Sequence, residues 1–342
     1  MVDFRDMLMV GLLASTTTGF YLAFLSNDRW KSYSDQLEER LKKYETSVLI
    51  TSETLPDYEF HPRLSALKTS DLTPRKEKET LSKISFDAEG SSSLEQVLRN
   101  IVNIIVFNSQ EPVNLPLIWG QEKDVSVYNF GRGQGLMVSD QGHMITAAQV
   151  IIDKDDRFQN WNSFAVISED KKVYEVEEIL ALSEKYDLAL VKTSYRPEHF
   201  VPPSFLTSQK AKETYTLVGI KMSGELHFTM TKQGLVSLKN PAEIALVDYY
   251  SHGVFEAVES QLQRYDNSLH LFTDMLILDQ YSQPGFSGSV VADKRGRIIG
   301  LVSGKRERDR GENQAIVAKS SRVKELIDHY LTYLEEKIRK DK

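Results

Sequence analysis

The sequence predicts an all-β core of antiparallel strands, with helices confined to its flanks and to one insertion. Three observations carry this reading. Short runs rich in β-branched and aromatic residues recur at 134–139, 143–148, 164–168, 173–182 and 188–193, separated by polar turn clusters such as Asp140-Gln141-Gly142. Runs of this kind read as strands, and the first set is expected to close into one antiparallel barrel. After a crossing segment at 197–212, a second set follows at 215–221, 226–238, 271–279, 288–292, 298–303 and 315–318. The start of the folded domain is marked by a change of period. Leu94, Val97, Leu98, Ile101, Ile104 and Ile105 keep a helical spacing, and 104–107 then runs like a strand.

The flanks read differently. Residues 7–25 carry no charge and lie between Asp6 and Asp28, a length that lets a helix rising 1.5 Å per residue cross the hydrocarbon layer. The leader is acidic on balance and no small-x-small cleavage site follows, so 1–27 is expected to be an uncleaved single-pass membrane anchor rather than a signal peptide. Trp30, Leu37, Leu41, Tyr44 and Val48 share a seven-residue register within 28–50, which predicts a juxtamembrane amphipathic helix. It is either a solvated stalk or a seam for self-association. Residues 51–93, with Pro56, Pro62, Pro74 and the charged run 75–79, read as a polar linker. The core domain is assigned to 94–322 and a C-terminal helix with a charged tail to 323–342. Within the core, the spacing of Val254, Val258, Leu262 and Tyr265 suggests a helix in the insertion 240–269.

Composition removes several classes of function. A net charge of −7 with both signs interspersed leaves no basic, aromatic stripe, so nucleic acid is not expected as a partner. The absence of cysteine excludes disulfides, thiolate metal sites and a cysteine nucleophile. No His-Glu-x-x-His, EF-hand loop or phosphate-binding Gly-x-x-x-x-Gly-Lys is found, and Gly131-Arg132-Gly133-Gln134-Gly135 lacks the spacing of a dinucleotide turn. No metal and no cofactor is expected.

Three short segments carry chemistry. Ser287 lies in Gly285-Phe286-Ser287-Gly288-Ser289, where glycines permit a tight turn that aims successive N–H groups at one point. The nucleophile elbow of α/β-hydrolases does not fit, because Ser289 holds the place of its second glycine and 290–303 reads as strand, turn, strand. Asp187 stands at a strand start before Leu188-Ala189-Leu190-Val191, and Gln149 closes Thr146-Ala147-Ala148-Gln149. Together 133–150, 186–190 and 284–289 resemble the three triad-bearing segments of trypsin-like serine proteases, and most closely those of the HtrA/Deg-like branch.

The resemblance implies a chymotrypsin-type fold of two similar antiparallel β-barrels. It puts Ser287 at the nucleophile position, Asp187 at the position of the acid that orients the base, and the amides of Gly285 and Ser287 at the oxyanion hole. It also puts Leu301, Val302, Ser303 and Gly304 on an edge strand that pairs with a bound peptide. The C-terminal helix stands where many relatives continue into a PDZ domain, and none is expected here. Family members with an anchor place this domain outside the inner membrane, whereas Arg29, Lys31, Arg40, Lys42 and Lys43 after the span favour a cytoplasmic side. The two arguments oppose each other and leave the topology open.

Gln149 stands where the resemblance puts the histidine base. An amide has no protonation equilibrium near neutral pH and cannot take the proton of a serine hydroxyl. In a well-characterised serine protease, loss of the histidine costs about 10⁶ in turnover, roughly 8 kcal/mol. Gln149 is expected to bridge the site, its NH₂ donating to Asp187 and its carbonyl accepting from Ser287. Of the remaining histidines, His143 is expected to be a surface or packing residue, and His199, His227, His252 and His270 lie in segments with no counterpart to the base. The expected function is a membrane-anchored pseudoprotease that binds a protein or peptide or serves as a structural part of an assembly. The alternative is an active serine endopeptidase that uses Ser287 with a non-standard base.

Overall fold

The computed structural model describes residues 73–88, 92–107, 123–127, 130–151, 163–210, 212–231, 234–265, 268–280, 282–307 and 313–340. The membrane span expected at 7–25, the juxtamembrane helix expected at 28–50 and most of the 51–93 linker lie outside the described residues. Among the described residues, no helix is long and apolar enough to cross a membrane.

Helix α1 (Pro74–Leu81) starts where the Thr73 hydroxyl accepts from the Lys76 amide and Pro74 presets the first turn. It lies inside the stretch read as a linker, and that reading is corrected here: Glu77 and Leu81 are buried. After β1 (Ser85–Phe86), helix α2 (Leu94–Arg99) opens with a capping box between Ser93 and Gln96. Strands β2 (Ile101–Phe107), β3 (Lys123–Val127), β4 (Phe130–Met137) and β5 (His143–Thr146) follow, then the single turn α3 (Ala148–Ile151). Strands β6 (Ser163–Ile167), β7 (Val173–Ser183) and β8 (Leu188–Thr193) complete the first barrel, which closes in the order β2-β4-β5-β8-β7-β6.

Strand β2 shows why the fold is layered. Val102, Ile104 and Val106 point into the barrel with Met137, Met144, Val166 and Val191. Ile105 points outward, yet it is covered by Leu226 and Phe228 of a neighbouring small sheet. A strand buried on both faces reads as a continuous apolar run rather than an alternating one. That is the pattern at 101–106.

The second half begins with β9 (Ser204–Phe205) and β10 (Thr214–Ser223), then β11 (Leu226–Thr231) and β12 (Gly234–Leu238). Next come β13 (Ala245–Tyr265), β14 (Ser268–Asp279), β15 (Val290–Ala292), β16 (Ile298–Glu307) and β17 (Asn313–Lys319). Six of these close antiparallel as β10-β13-β14-β17-β16-β15, because β15 returns to pair with β10. Tyr215, Leu217, Leu276, Leu278, Val291 and Val317 fill this second barrel. Helix α4 (Ser320–Lys340) ends the described chain and buries Val323, Leu326, Ile327, Tyr330 and Leu334, a stripe of helical period, against the outside of the barrels.

Two expectations for this half are corrected. The segment 226–238 is a hairpin, β11 and β12, in a three-stranded sheet with β3, and it does not belong to the second barrel. Its place is taken by β13, in the insertion expected to be helical. A spacing of four residues is close to one helical turn, and it is also two full strand repeats. Val254 and Val258 therefore share one strand face, where they stay 40% and 47% exposed.

One side chain fastens the barrels together. Gln134 on β4 is buried; its Oε1 accepts from the Ile220 amide at 3.1 Å and its Nε2 donates to the Ile220 carbonyl at 2.9 Å, so it pairs with β10 as a strand would. Its own amide donates to the Ser287 carbonyl at 2.7 Å, and its carbonyl accepts from the Thr146 hydroxyl at 2.6 Å. Gly288 must come this close without a side chain. A Cβ there would lie 1.9 Å from the Gln134 carbonyl oxygen, at a φ of +87°.

Gly288→Ala is expected to destabilise the domain by about 2 kcal/mol or more, from left-handed strain plus the clash with backbone. Leu326→Ala, which empties a fully buried site under α4, is expected to cost about 2–5 kcal/mol. Urea unfolding of both variants beside the parent measures each difference.

Candidate active site

The site forms where the barrels meet. The Asp187 side chain is held by the tight turn between β7 and β8: its amide donates to the Glu184 carbonyl at 3.3 Å, and its φ of +51° is a left-handed conformation that aspartate tolerates. Gln149 sits on the single turn α3, just after β5. The loop 282–289 carries Ser287 from the second barrel, and β16 contributes Ser303.

Asp187 is buried, and its carboxylate is satisfied. Oδ1 accepts from the Gln149 amide at 2.8 Å, while Oδ2 accepts from Gln149 Nε2 at 3.1 Å and from the Ser303 hydroxyl. Each of these donors helps offset the cost of burying the carboxylate. The same Gln149 nitrogen lies 3.2 Å from Ser287 Oγ and donates to the Ser303 carbonyl. Its orientation is forced, because a carboxylate and a backbone carbonyl can only accept, so the NH₂ must face them.

The expected bridge between Asp187 and Ser287 is present, with one correction. Gln149 reaches Ser287 through its NH₂ and not through its carbonyl. The serine oxygen therefore receives a hydrogen bond, and its own proton is directed at the Ser303 carbonyl at 3.4 Å. Proton abstraction needs the reverse polarity, with the neighbour accepting from the hydroxyl. In this geometry the Ser287 oxygen accepts from Gln149.

The loop around Ser287 keeps another feature of acyl-transfer sites. Phe286 N donates to the Gln283 carbonyl at 3.1 Å, Gly288 N to the Val302 carbonyl at 2.7 Å and Ser289 N to the Phe286 carbonyl at 2.9 Å. Among the described residues, the amides of Gly285 and Ser287 donate to no protein acceptor. These two N–H groups are the pair expected to form the oxyanion hole, and Gly285 has a φ of +90°. Phe286, between them, is buried and packs its ring on Tyr249 with centroids 4.7 Å apart, which anchors the loop in the second barrel.

The peptide-binding edge expected at Leu301, Val302, Ser303 and Gly304 is corrected in part. Leu301 pairs with Val290 on one side and with Ala318 on the other. Val302 exchanges bonds with the 288–289 backbone and pairs with Val317. Neither residue is at an edge. From Gly304 to Glu307, β16 has β17 as its strand partner among the described residues, and β15 has already ended. Ser303 has a role that sequence reasoning missed, since its hydroxyl and carbonyl both tie into the Asp187–Gln149 pair. No local motif signals this, because the contact spans 116 residues.

Three of the histidines have other partners. His143 is buried against Ser139 and Glu77, His252 pairs with the Thr216 hydroxyl at 2.9 Å, and His227 faces Glu225 at 3.5 Å. Among the described residues, no group of three or more His, Asp or Glu side chains could hold a metal ion.

A family profile described as a trypsin-like peptidase domain matches residues 133–301. No curated protein sequence matches the chain. Among solved structures, the Rv3671c protease from M. tuberculosis in its active form is similar at 14% identity, with a TM-score of 0.45 over 72% of this chain and 88% of that one. The inactive form of the Rv3671c protease gives 14% identity and a TM-score of 0.44, over 69% and 91%. The family match spans the segments bearing Gln149, Asp187 and Ser287, so this part of the chain is similar to a trypsin-like peptidase domain.

Proposed function

We propose that this chain is a membrane-anchored trypsin-like pseudoprotease, a relative of the HtrA/Deg-like branch, that binds a protein or peptide and does not cleave it. One observation carries the reading. Gln149 stands in place of the base and donates its NH₂ to both Asp187 Oδ2 and Ser287 Oγ. Among the described residues, the hydroxyl faces the Ser303 carbonyl, a weak base, as its acceptor. Anchoring rests on the uncharged segment 7–25, and binding rests on the stretch of β16 after Gly304 together with the open amides of Gly285 and Ser287.

Those open amides also favour the second reading, a working serine endopeptidase. A loop that can stabilise an oxyanion retains some rate enhancement even without a base. The two readings differ in what Ser287 does with an electrophile.

Fluorophosphonate labelling of the parent is expected to be negligible over hours at neutral pH. Gln149→His is expected to raise the labelling rate by at least about 10²-fold, a modest share of the about 10⁶ that the base is worth in an intact triad. Ser287→Ala in that background abolishes labelling. A parent that labels as fast as Gln149→His refutes the pseudoprotease and establishes the enzyme. Capture from an extended-peptide library is expected to be equal for the parent and Ser287→Ala, and failure to capture any peptide refutes the binding role.

A further inference from the structure

Helix α1 is held to the barrel by an unusual contact. Only Glu77 and Leu81 of its eight residues are buried, so little apolar surface fastens it. Beside it, Lys76, Thr80 and Lys83 face Val138, Asp140 and Phe200 across a cavity of about 300 Å³. The principal link is polar. Glu77 Oε1 accepts from His143 Nε2 at 3.1 Å, and Glu77 Oε2 accepts from the Tyr330 hydroxyl of α4 at 3.1 Å. An exposed ion pair, Lys78 to Glu335 at 2.7 Å, marks the rim.

The hydrogen bonds around His143 fix its neutral form. With Nε2–H given to Glu77, Nδ1 accepts from the Ser139 hydroxyl at 2.6 Å. Ser139 Oγ also accepts from the amides of Gln141 and His143, each at 3.2 Å. Both lone pairs of that oxygen are engaged. A second imidazole proton would appear on Nδ1, facing an oxygen with no acceptor capacity left, in a ring that is fully buried. The only way to accommodate it is to rearrange the cluster.

We propose that Glu77, His143 and Tyr330 form an acid-released latch, in which protonation of His143 undocks α1 from the first barrel and from α4. The positive charges around it favour that outcome, and the Glu77 carboxylate opposes it. Lys192, the cross-strand neighbour of His143, donates to the Gln141 carbonyl, and burial pushes its pKa down to about 8, so it is cationic at neutral pH. Arg196, 3.9 Å from Glu177, adds a second positive charge. Burial, followed by those two cations, holds the His143 pKa below its usual value, although Glu77 works in the opposite direction. On β7, burial raises the pKa of Glu178, and Glu77 raises it further, while Lys337 of α4 opposes this. Burial raises Tyr330 too, which keeps its hydroxyl a donor. Asp140 and Glu177 face Lys192 from the hairpin turn and from β7.

The sign follows from linkage. A histidine whose pKa is depressed by docking favours the docked state above its free value, near 6.5. That advantage is lost as pH falls from there toward the depressed value. Glu178, with a raised pKa, takes up its proton more readily in the folded state and so works in the other direction. It cannot be the source of release on acidification.

Hydrogen exchange of the full chain in detergent, corrected for intrinsic rates, tests the latch between pH 7.5 and 5.0. The protection of α1 amides is expected to fall by up to about tenfold per pH unit for one proton taken up, while β5 and β8 keep theirs. His143→Gln, which can donate to Glu77 but cannot charge, is expected to abolish the fall, and Glu178→Gln is expected to retain it. An unchanged fall in His143→Gln, its disappearance in Glu178→Gln, or constant α1 protection in the parent overturns the proposal. Titration of the His143 ring by NMR in the parent gives a check free of variants. Its midpoint must coincide with the α1 transition, and separation by more than one pH unit refutes the latch even if His143→Gln does not fold.

Discussion

A buried amide, that of Gln134, is central to holding the two halves of this domain in register. Gln134 belongs to the first barrel, yet its side chain pairs with Ile220 of the second as if it were one more residue of that sheet, and its backbone grips the carbonyl of Ser287. The site exists only because this joint is tight. Asp187 and Gln149 ride on one barrel and Ser287 and Ser303 on the other, so a small slip between the barrels would separate all four. Leaving either end of such an amide unpaired in a dry interface costs about 1–3 kcal/mol. The joint is thus specific as well as strong.

Within that frame, one side chain reverses the logic of the site. An imidazole at position 149 could accept from the serine while donating to the aspartate. A glutamine amide nitrogen can only donate, and here it is surrounded by a carboxylate, a carbonyl and a hydroxyl oxygen. Two hydrogens shared among three acceptors make a rigid, well-satisfied knot. The buried Asp187 carboxylate accepts from the Gln149 amide, from the Gln149 side chain and from Ser303. These hydrogen bonds hold the architecture of the site together.

Much of this was legible in the chain, and the parts that were not have physical reasons. The strands of the first barrel stand where the runs at 134–193 put them, since a closed barrel with polar turns leaves a clear alternation of run and turn. The union of Gln149, Asp187 and Ser287 was readable from motifs. The polarity of the amide was not, because it depends on Ser303, which approaches from 154 residues away in sequence. The misassigned insertion shows the limit of periodicity: Val254 and Val258 satisfy both a helix and a strand, and only the empty place between β10 and β14 decides. Likewise Leu301 and Val302 resemble an edge until β17, some fifteen residues later, closes the ring. Glu77 had no signal at all, as one acid in a run of alternating charge that happens to fold inward.

The contact of α1 with α4 has a topological consequence. Lys78 meets Glu335, and Glu77 meets Tyr330, so the point where the chain enters the domain lies within a few helical turns of the point where it leaves. Whatever is fused at one end is held beside whatever is fused at the other. A short graft from Lys340 back to Thr73 would circularise the domain without crossing either barrel, and new ends could then be opened at a surface turn.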